Sequence, residues 1–142
     1  MLSLTRRYTF SSGHRLCRRE WTDARNEEVY GRCANRNGHG HNYVLYVTVT
    51  GPLDPETGMM ADLPRLDRTV EREVLSRLDH HFLNHEVAEF RDAVPTSENL
   101  CRLIGRWLEP KLSPARLVRI TLYETDANCF ELVLPPSPTP GS

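Results

Sequence analysis

No apolar run in this chain approaches the roughly 20 residues that a membrane-crossing helix needs, so a membrane is not an expected partner. Residues 1–10 carry two arginines and no apolar stretch, so no secretory signal is read there. An excess of one charge is missing too: 18 Lys+Arg stand against 19 Asp+Glu, a formal net charge of −1. A general nucleic-acid binder is usually far more basic, and nucleic acid is not expected either. The four cysteines (Cys17, Cys33, Cys101, Cys129) include no Cys-x-x-Cys pair. Without a signal, that scatter points to a reducing cytoplasm rather than a disulfide framework. No glycine motif of the nucleotide-binding kind and no internal repeat is visible. Lysine occurs once against seventeen arginines, a bias consistent with a GC-rich genome.

What is present is ordinary for a globular domain: 142 residues, 39% hydrophobic and 26% charged. A chain of that size can bury a real core without covalent staples. The arginines are unevenly spread. Residues 1–36 hold eight arginines against four acids, whereas the rest of the chain is net acidic. Such a segment suits a compact anionic ligand, or it is simply a solvated face of mixed charge.

The hydrophobic pattern predicts strands over 4–12 and 39–50, the latter an unbroken β-branched and aromatic run. Between them, 15–37 is polar and without period, and reads as a long loop. The turn chemistry of 51–58 predicts a hairpin-like return into a short strand at 59–61. Asp62 is a cap for a helix with Pro64 in its first turn and an apolar stripe of Leu63, Leu66, Val70, Val74 and Leu78. Residues 78–84 read as a helix-end loop. Thr96 or Ser97 caps a second helix whose inner face is Leu100, Leu103, Ile104, Trp107 and Leu108. Two last strands fall at 118–124 and 130–134. The expected fold is α+β: one domain over 1–134, a mostly antiparallel sheet of four strands and two helices on one face. The tail 135–142 holds four prolines in eight residues and is expected to stay disordered.

Three groups of residues carry chemistry. His39 and His41 are two apart on a strand and project from one face. If strands one and two pair antiparallel, His14, at the end of the first, joins them. Three imidazoles with an open fourth position make a catalytic Zn2+ site, able to polarise a bound oxygen. Cys33, six residues before His39, is either a base beside that metal or the fourth ligand of a closed structural site. Asp79 and His80 form a carboxylate–imidazole pair that can fix a tautomer, although such dipeptides also arise by chance. Glu124 ends a strand. Its carboxylate can accept two hydrogen bonds from a 2-amino-pyrimidinone edge, or it is an ordinary surface charge.

The segments Phe10-Ser-Ser-Gly-His14, Cys33-Ala-Asn-Arg-Asn-Gly-His-Gly-His41-Asn-Tyr43, Leu78-Asp-His80, Pro95-Thr-Ser-Glu98-Asn99 and Tyr123-Glu-Thr-Asp126 occur in order. Together they resemble the 6-pyruvoyltetrahydropterin synthase family over residues 4–134. The resemblance implies a tunnelling (T-) fold whose sheets join into a barrel in a homohexamer, a dimer of trimers. It implies that His14, His39 and His41 bind zinc, and that Cys33 abstracts a proton. Asp79 and His80 would form a relay contributed by a neighbouring subunit. Glu124 would anchor a pterin ring, with Thr96, Ser97 and Glu98 nearby. The implied activity is a carbon–oxygen lyase reaction on phosphates. It takes 7,8-dihydroneopterin triphosphate to 6-pyruvoyltetrahydropterin, with triphosphate elimination and internal redox transfer, in tetrahydrobiopterin biosynthesis. Two alternatives accompany it: 6-carboxytetrahydropterin synthesis on the queuosine route, and a non-catalytic zinc-stabilised pterin-binding module. In the carboxy branch the cysteine usually stands three residues from the His-Gly-His. Here five residues, 34–38, intervene, which looks like the pyruvoyl branch. Gly13 before His14 and His81 after the relay pair depart from the family pattern.

Overall fold

The computed structural model describes residues 1–136. Its two long strands, β1 (Leu4–His14) and β2 (His39–Thr50), pair antiparallel along their whole length. Between them lies α1 (Asp23–Tyr30), followed by a tight 3-10 turn, Gly31–Ala34. The segment read as a long loop therefore contains a helix. Its cap is Thr22, whose Oγ1 accepts from the Arg25 amide at 3.2 Å. The helix is polar all round and buries only Asn26, so apolar periodicity could not reveal it.

Helix α2 (Leu63–Val70) starts at Asp62, whose carboxylate accepts from the Arg65 amide at 3.1 Å. It continues through a π-helical stretch, Glu71–Leu75, into α3 (Ser76–Leu78). Val70, Val74 and Leu78 are four apart and all fully buried. In a regular α-helix that spacing drifts around the axis, and the wider π turn offsets the drift. Next come β3 (His81–Phe82) and α4 (Leu83–Glu86), where the sequence suggested only a loop. Two residues are too few to show a strand period. Helix α5 (Ser97–Leu108) is capped by Thr96, whose Oγ1 accepts from the Asn99 amide at 3.2 Å. Strands β4 (Arg116–Thr125) and β5 (Asn128–Val133) close the chain.

The sheet has five strands rather than four, in the order β3-β1-β2-β4-β5. Only β3 runs parallel, to β1, through Ser12–His81 and Gly13–Phe82. The expected strand at 59–61 does not join it. The turn instead closes on itself, the Asp54 amide donating to Met59 O at 2.8 Å. The stripes of α2 and α5 pack on one face of the sheet. There Tyr43, Leu45, Val47, Ile120 and Leu122 are fully buried. Each such side chain contributes about 1.5–3 kcal/mol by leaving water. Trp107 is only partly buried at the margin of this core. The expected disorder of the tail falls, for residues 137–142, outside the described residues. No helix among the described residues is long and apolar enough to cross a membrane.

Candidate metal centre and active site

Burial alternates along the start of β2, with His39, His41 and Tyr43 on the helix side and Gly40 and Asn42 away from it. The register sets Ser12 opposite His41 and His14 opposite His39. Three imidazoles therefore meet where the two strands end, beyond the apolar core. They pack edge to face, with centroids 4.6 Å (His14–His39), 4.8 Å (His39–His41) and 5.1 Å (His14–His41) apart. One ring nitrogen from each lies within 4.8 Å of the others.

Hydrogen bonding decides what those nitrogens can do. His14 Nδ1 donates to the Pro95 carbonyl at 2.8 Å. A carbonyl can only accept, so the neutral ring keeps its lone pair on Nε2. That Nε2 faces His39 Nε2 at 3.0 Å. His41 Nε2 is buried and has no hydrogen-bond partner. Its nearest acid, Glu124 Oε1, is 3.7 Å away. Burial holds the His14 pKa below the usual imidazole value, and the other two rings push the same way. Burial also lowers His41, against the pull of Glu124. Neutral imidazoles with unspent lone pairs are the form that binds a metal, and an orphaned buried nitrogen is costly without one. The donor set fits a divalent ion that favours nitrogen ligands. Cys33 does not belong to this cluster of ligand atoms.

Glu124 stands at the end of β4 on the same side, and Ser97 Oγ donates to its Oε2. Ser97 is the first residue of α5 and is buried, so the helix start and the strand end are tied together. Thr96 spends its hydroxyl on the cap, and Glu98 faces solvent. Cys33 sits half-buried in the 3-10 turn, and its carbonyl accepts from the Leu16 amide at 2.8 Å. That bond holds the turn beside the residues that follow His14.

Asp79 and His80 lie at the outer edge of β1. The Ser11 amide donates to Asp79 Oδ1 at 2.8 Å, and the His80 amide donates to Ser11 O at 2.6 Å. The first of these bonds is the main reason the Asp79 carboxyl is held below its usual range. His80 Nδ1 is 3.0 Å from Asp79 Oδ1, while the ring is 83% exposed. Its backbone is left-handed, at φ 61°, which is rare for a non-glycine residue. Among the described residues, no hydrogen bond links this pair to the three imidazoles. Gly38 is a position where only glycine fits. Its φ is +69°, and a Cβ there would meet the His14 carbonyl at 2.9 Å and the Phe82 ring at 2.7 Å.

Two contributors escaped the sequence. One is the Pro95 carbonyl, which no side-chain pattern can announce. The other is the Tyr43 hydroxyl, buried without a partner, its ring 5.6 Å from His41. Its spacing two residues beyond His41 was the available signal. A larger cavity of about 740 Å³ lies at the opposite end of the sheet, lined by Leu53, Met59, Met60 and Leu112 among others, and holds none of these groups.

Three ring nitrogens would leave a tetrahedral ion one open position, the pattern of catalytic rather than structural centres, so this is an α+β domain with a candidate metal site of the enzyme kind. Comparison with known proteins narrows that class. Residues 3–133 match the model of the family described as 6-pyruvoyl tetrahydropterin synthase, and the chain belongs to this family. It is 42% identical to the 6-pyruvoyl tetrahydrobiopterin synthase of Pongo abelii over 125 residues, 88% of this chain and 86% of that protein. Against the Drosophila melanogaster protein of the same name it is 41% identical over 126 residues, 88% of this chain and 75% of that one. The solved structure of Caenorhabditis elegans 6-pyruvoyl tetrahydropterin synthase superposes with a TM-score of 0.88 at 37% identity, covering 94% of this chain and 96% of that one.

Proposed function

We propose that this protein converts 7,8-dihydroneopterin triphosphate to 6-pyruvoyltetrahydropterin, with zinc as its metal. The observation that carries the reading is the cluster of ring nitrogens of His14, His39 and His41 beside Glu124, in a chain of this family. His14, His39 and His41 would hold the ion. Once bound, it polarises the side-chain hydroxyls of the substrate and makes the neighbouring carbon-bound protons more acidic.

The chain's own residues do the rest. Glu124, oriented by the Ser97 hydroxyl, accepts two hydrogen bonds from the amino-pyrimidinone edge of the pterin and fixes the ring. The Cys33 thiolate takes a carbon-bound proton of the side chain. The electron pair so released expels triphosphate from the adjacent carbon. Proton shifts then carry the reducing equivalents from side chain to ring, so no external oxidant or reductant is consumed. The Asp79–His80 pair donates and accepts protons in those shifts. Its exposure and its separation from the cluster support service to a neighbouring subunit. The open face and free edges of the sheet support the T-fold barrel and the hexamer. Thr96 and Glu98, which flank Ser97 at the start of α5, would lie near the ring so held. A single catalytic domain over 1–134 and a cytoplasmic setting complete the reading, supported by four free thiols.

Mass spectrometry of the product tests it. Zinc-loaded protein given 7,8-dihydroneopterin triphosphate is expected to yield 6-pyruvoyltetrahydropterin and free triphosphate. A 6-carboxy product would move the protein to the queuosine route. No product from folded, zinc-replete protein would leave a non-catalytic pterin module.

A further inference from the structure

The basic N-terminal segment has a structural counterpart in a cavity of about 500 Å³. It is lined by the chain just after His14, with Arg15, Arg18 and Arg19, by the segment just before Pro95, with Arg91, and by the exposed Arg36. Five arginines thus line it against two acids, Glu20 and Asp92. Asn84 and Asn99 line it too, their amide nitrogens donating to Arg15 O and Val94 O at 2.8 Å each.

The arginines divide by what they already hold. The Arg15 Nε donates to Ala34 O at 2.9 Å, and the Arg15 main chain exchanges two hydrogen bonds with the Asn84 side chain, each 2.8 Å. Arg18 leans on Glu20 and on the Trp21 ring, and Arg36 pairs with Asp23. Among the described residues, Arg19 and Arg91 have no ion-pair partner. They come from two separate segments of the cavity lining and both are exposed. Arginines without an ion-pair partner that line one cavity suit a polyanion, which can accept from more than one of them.

Position completes the case. The cavity begins one residue from His14 on one side and one residue from Pro95, whose carbonyl holds the His14 ring, on the other. In the substrate, the phosphate ester lies on the carbon next to the hydroxyl-bearing carbons. A triphosphate pocket must therefore abut the site that holds those hydroxyls. We infer that this cavity receives the triphosphate group, with Arg19 and Arg91 as its specificity-determining residues and Arg36 assisting. The inference rests on the proposed function and names where the leaving group sits. A pocket that binds triphosphate also discriminates against unphosphorylated dihydroneopterin.

The test is calorimetric titration of metal-loaded, full-length protein with inorganic triphosphate. Arg19→Gln and Arg91→Gln are each expected to weaken binding about tenfold or more, with metal content unchanged. Arg68→Gln, on α2 and outside the cavity, controls for net charge and is expected to change binding less than about twofold. In steady-state kinetics the two cavity variants raise KM for the triphosphate substrate. Wild-type affinity in the Arg19→Gln/Arg91→Gln double variant would overturn the inference, and so would an equal loss in Arg68→Gln. The two readings fail separately. Arginine-dependent triphosphate binding without pterin turnover removes the reaction and keeps the cavity. Normal turnover with unchanged KM in the double variant removes the cavity and keeps the reaction.

Discussion

The two histidine sites on either side of the β1 terminus are built on opposite terms. The His14–His39–His41 cluster is enclosed. Burial holds the pKa of His14 and of His41 below the usual imidazole value, the His14 ring is oriented by a main-chain carbonyl, and the buried His41 Nε2 has nothing to bond. The Asp79–His80 pair is open. It is fixed through its backbone to Ser11, its carboxyl is kept ionised by an amide, and its imidazole points into solvent. One site is assembled from ring nitrogens of a single chain. The other is fully hydrogen-bonded at its base and has nothing to act on. Folding the chain is enough to bring the three imidazoles together, whereas the proposed role of the exposed pair requires a second surface to meet it.

That contrast can be broken most forcefully at the enclosed site. His39→Ala is expected to lose the metal, measured by elemental analysis, and to lower turnover by on the order of 10³-fold or more. Full metal occupancy in that variant would remove the cluster from the reading. Cys33→Ala sharpens the comparison, because it should keep both metal and fold while turnover falls about 10²–10⁴-fold. Loss of zinc and unfolding would instead make Cys33 a structural ligand. His80→Ala is expected to keep the metal and lose about 10²-fold in rate. Mixed oligomers of Cys33→Ala and His80→Ala chains should regain activity, since one site in the mixture then receives an intact cysteine and an intact relay. No recovery in the mixture would place the relay inside its own chain. The smallest effect concerns the frame between the two sites. Gly38→Ala is expected to lower unfolding free energy by about 1–3 kcal/mol in denaturant titration, because it strains the backbone and presses on the His14 carbonyl.

The sequence disclosed the enclosed site better than the open one. Two histidines at i and i+2 on a strong strand, plus antiparallel pairing, were enough to bring His14 alongside. The stripe Leu66–Val70–Val74–Leu78 and the caps Asp62 and Thr96 were equally legible, because each is a local pattern with one physical reading. What escaped had no local signature. Helix α1 carries no apolar face, and β3 is too short for a period. Residues 59–61 had turn chemistry before them but no strand to pair with. The Ser97–Glu124 bond joins residues 27 apart, and the His14–Pro95 bond joins residues 81 apart. Such contacts exist only once the helix is packed on the sheet.

That last bond has a genetic consequence. The group that sets the tautomer of His14 belongs to the main chain, so every amino acid at position 95 supplies it. Substitution can remove the proline ring, but it cannot remove the carbonyl. A saturation scan of this protein should therefore find His14 intolerant and its orienting partner comparatively silent, with the penalty falling on changes in segment length. Shortening or lengthening the stretch between α4 and α5 by one residue would withdraw the acceptor and leave every candidate site side chain in place. Ligand orientation here is inherited through spacing rather than through residue identity.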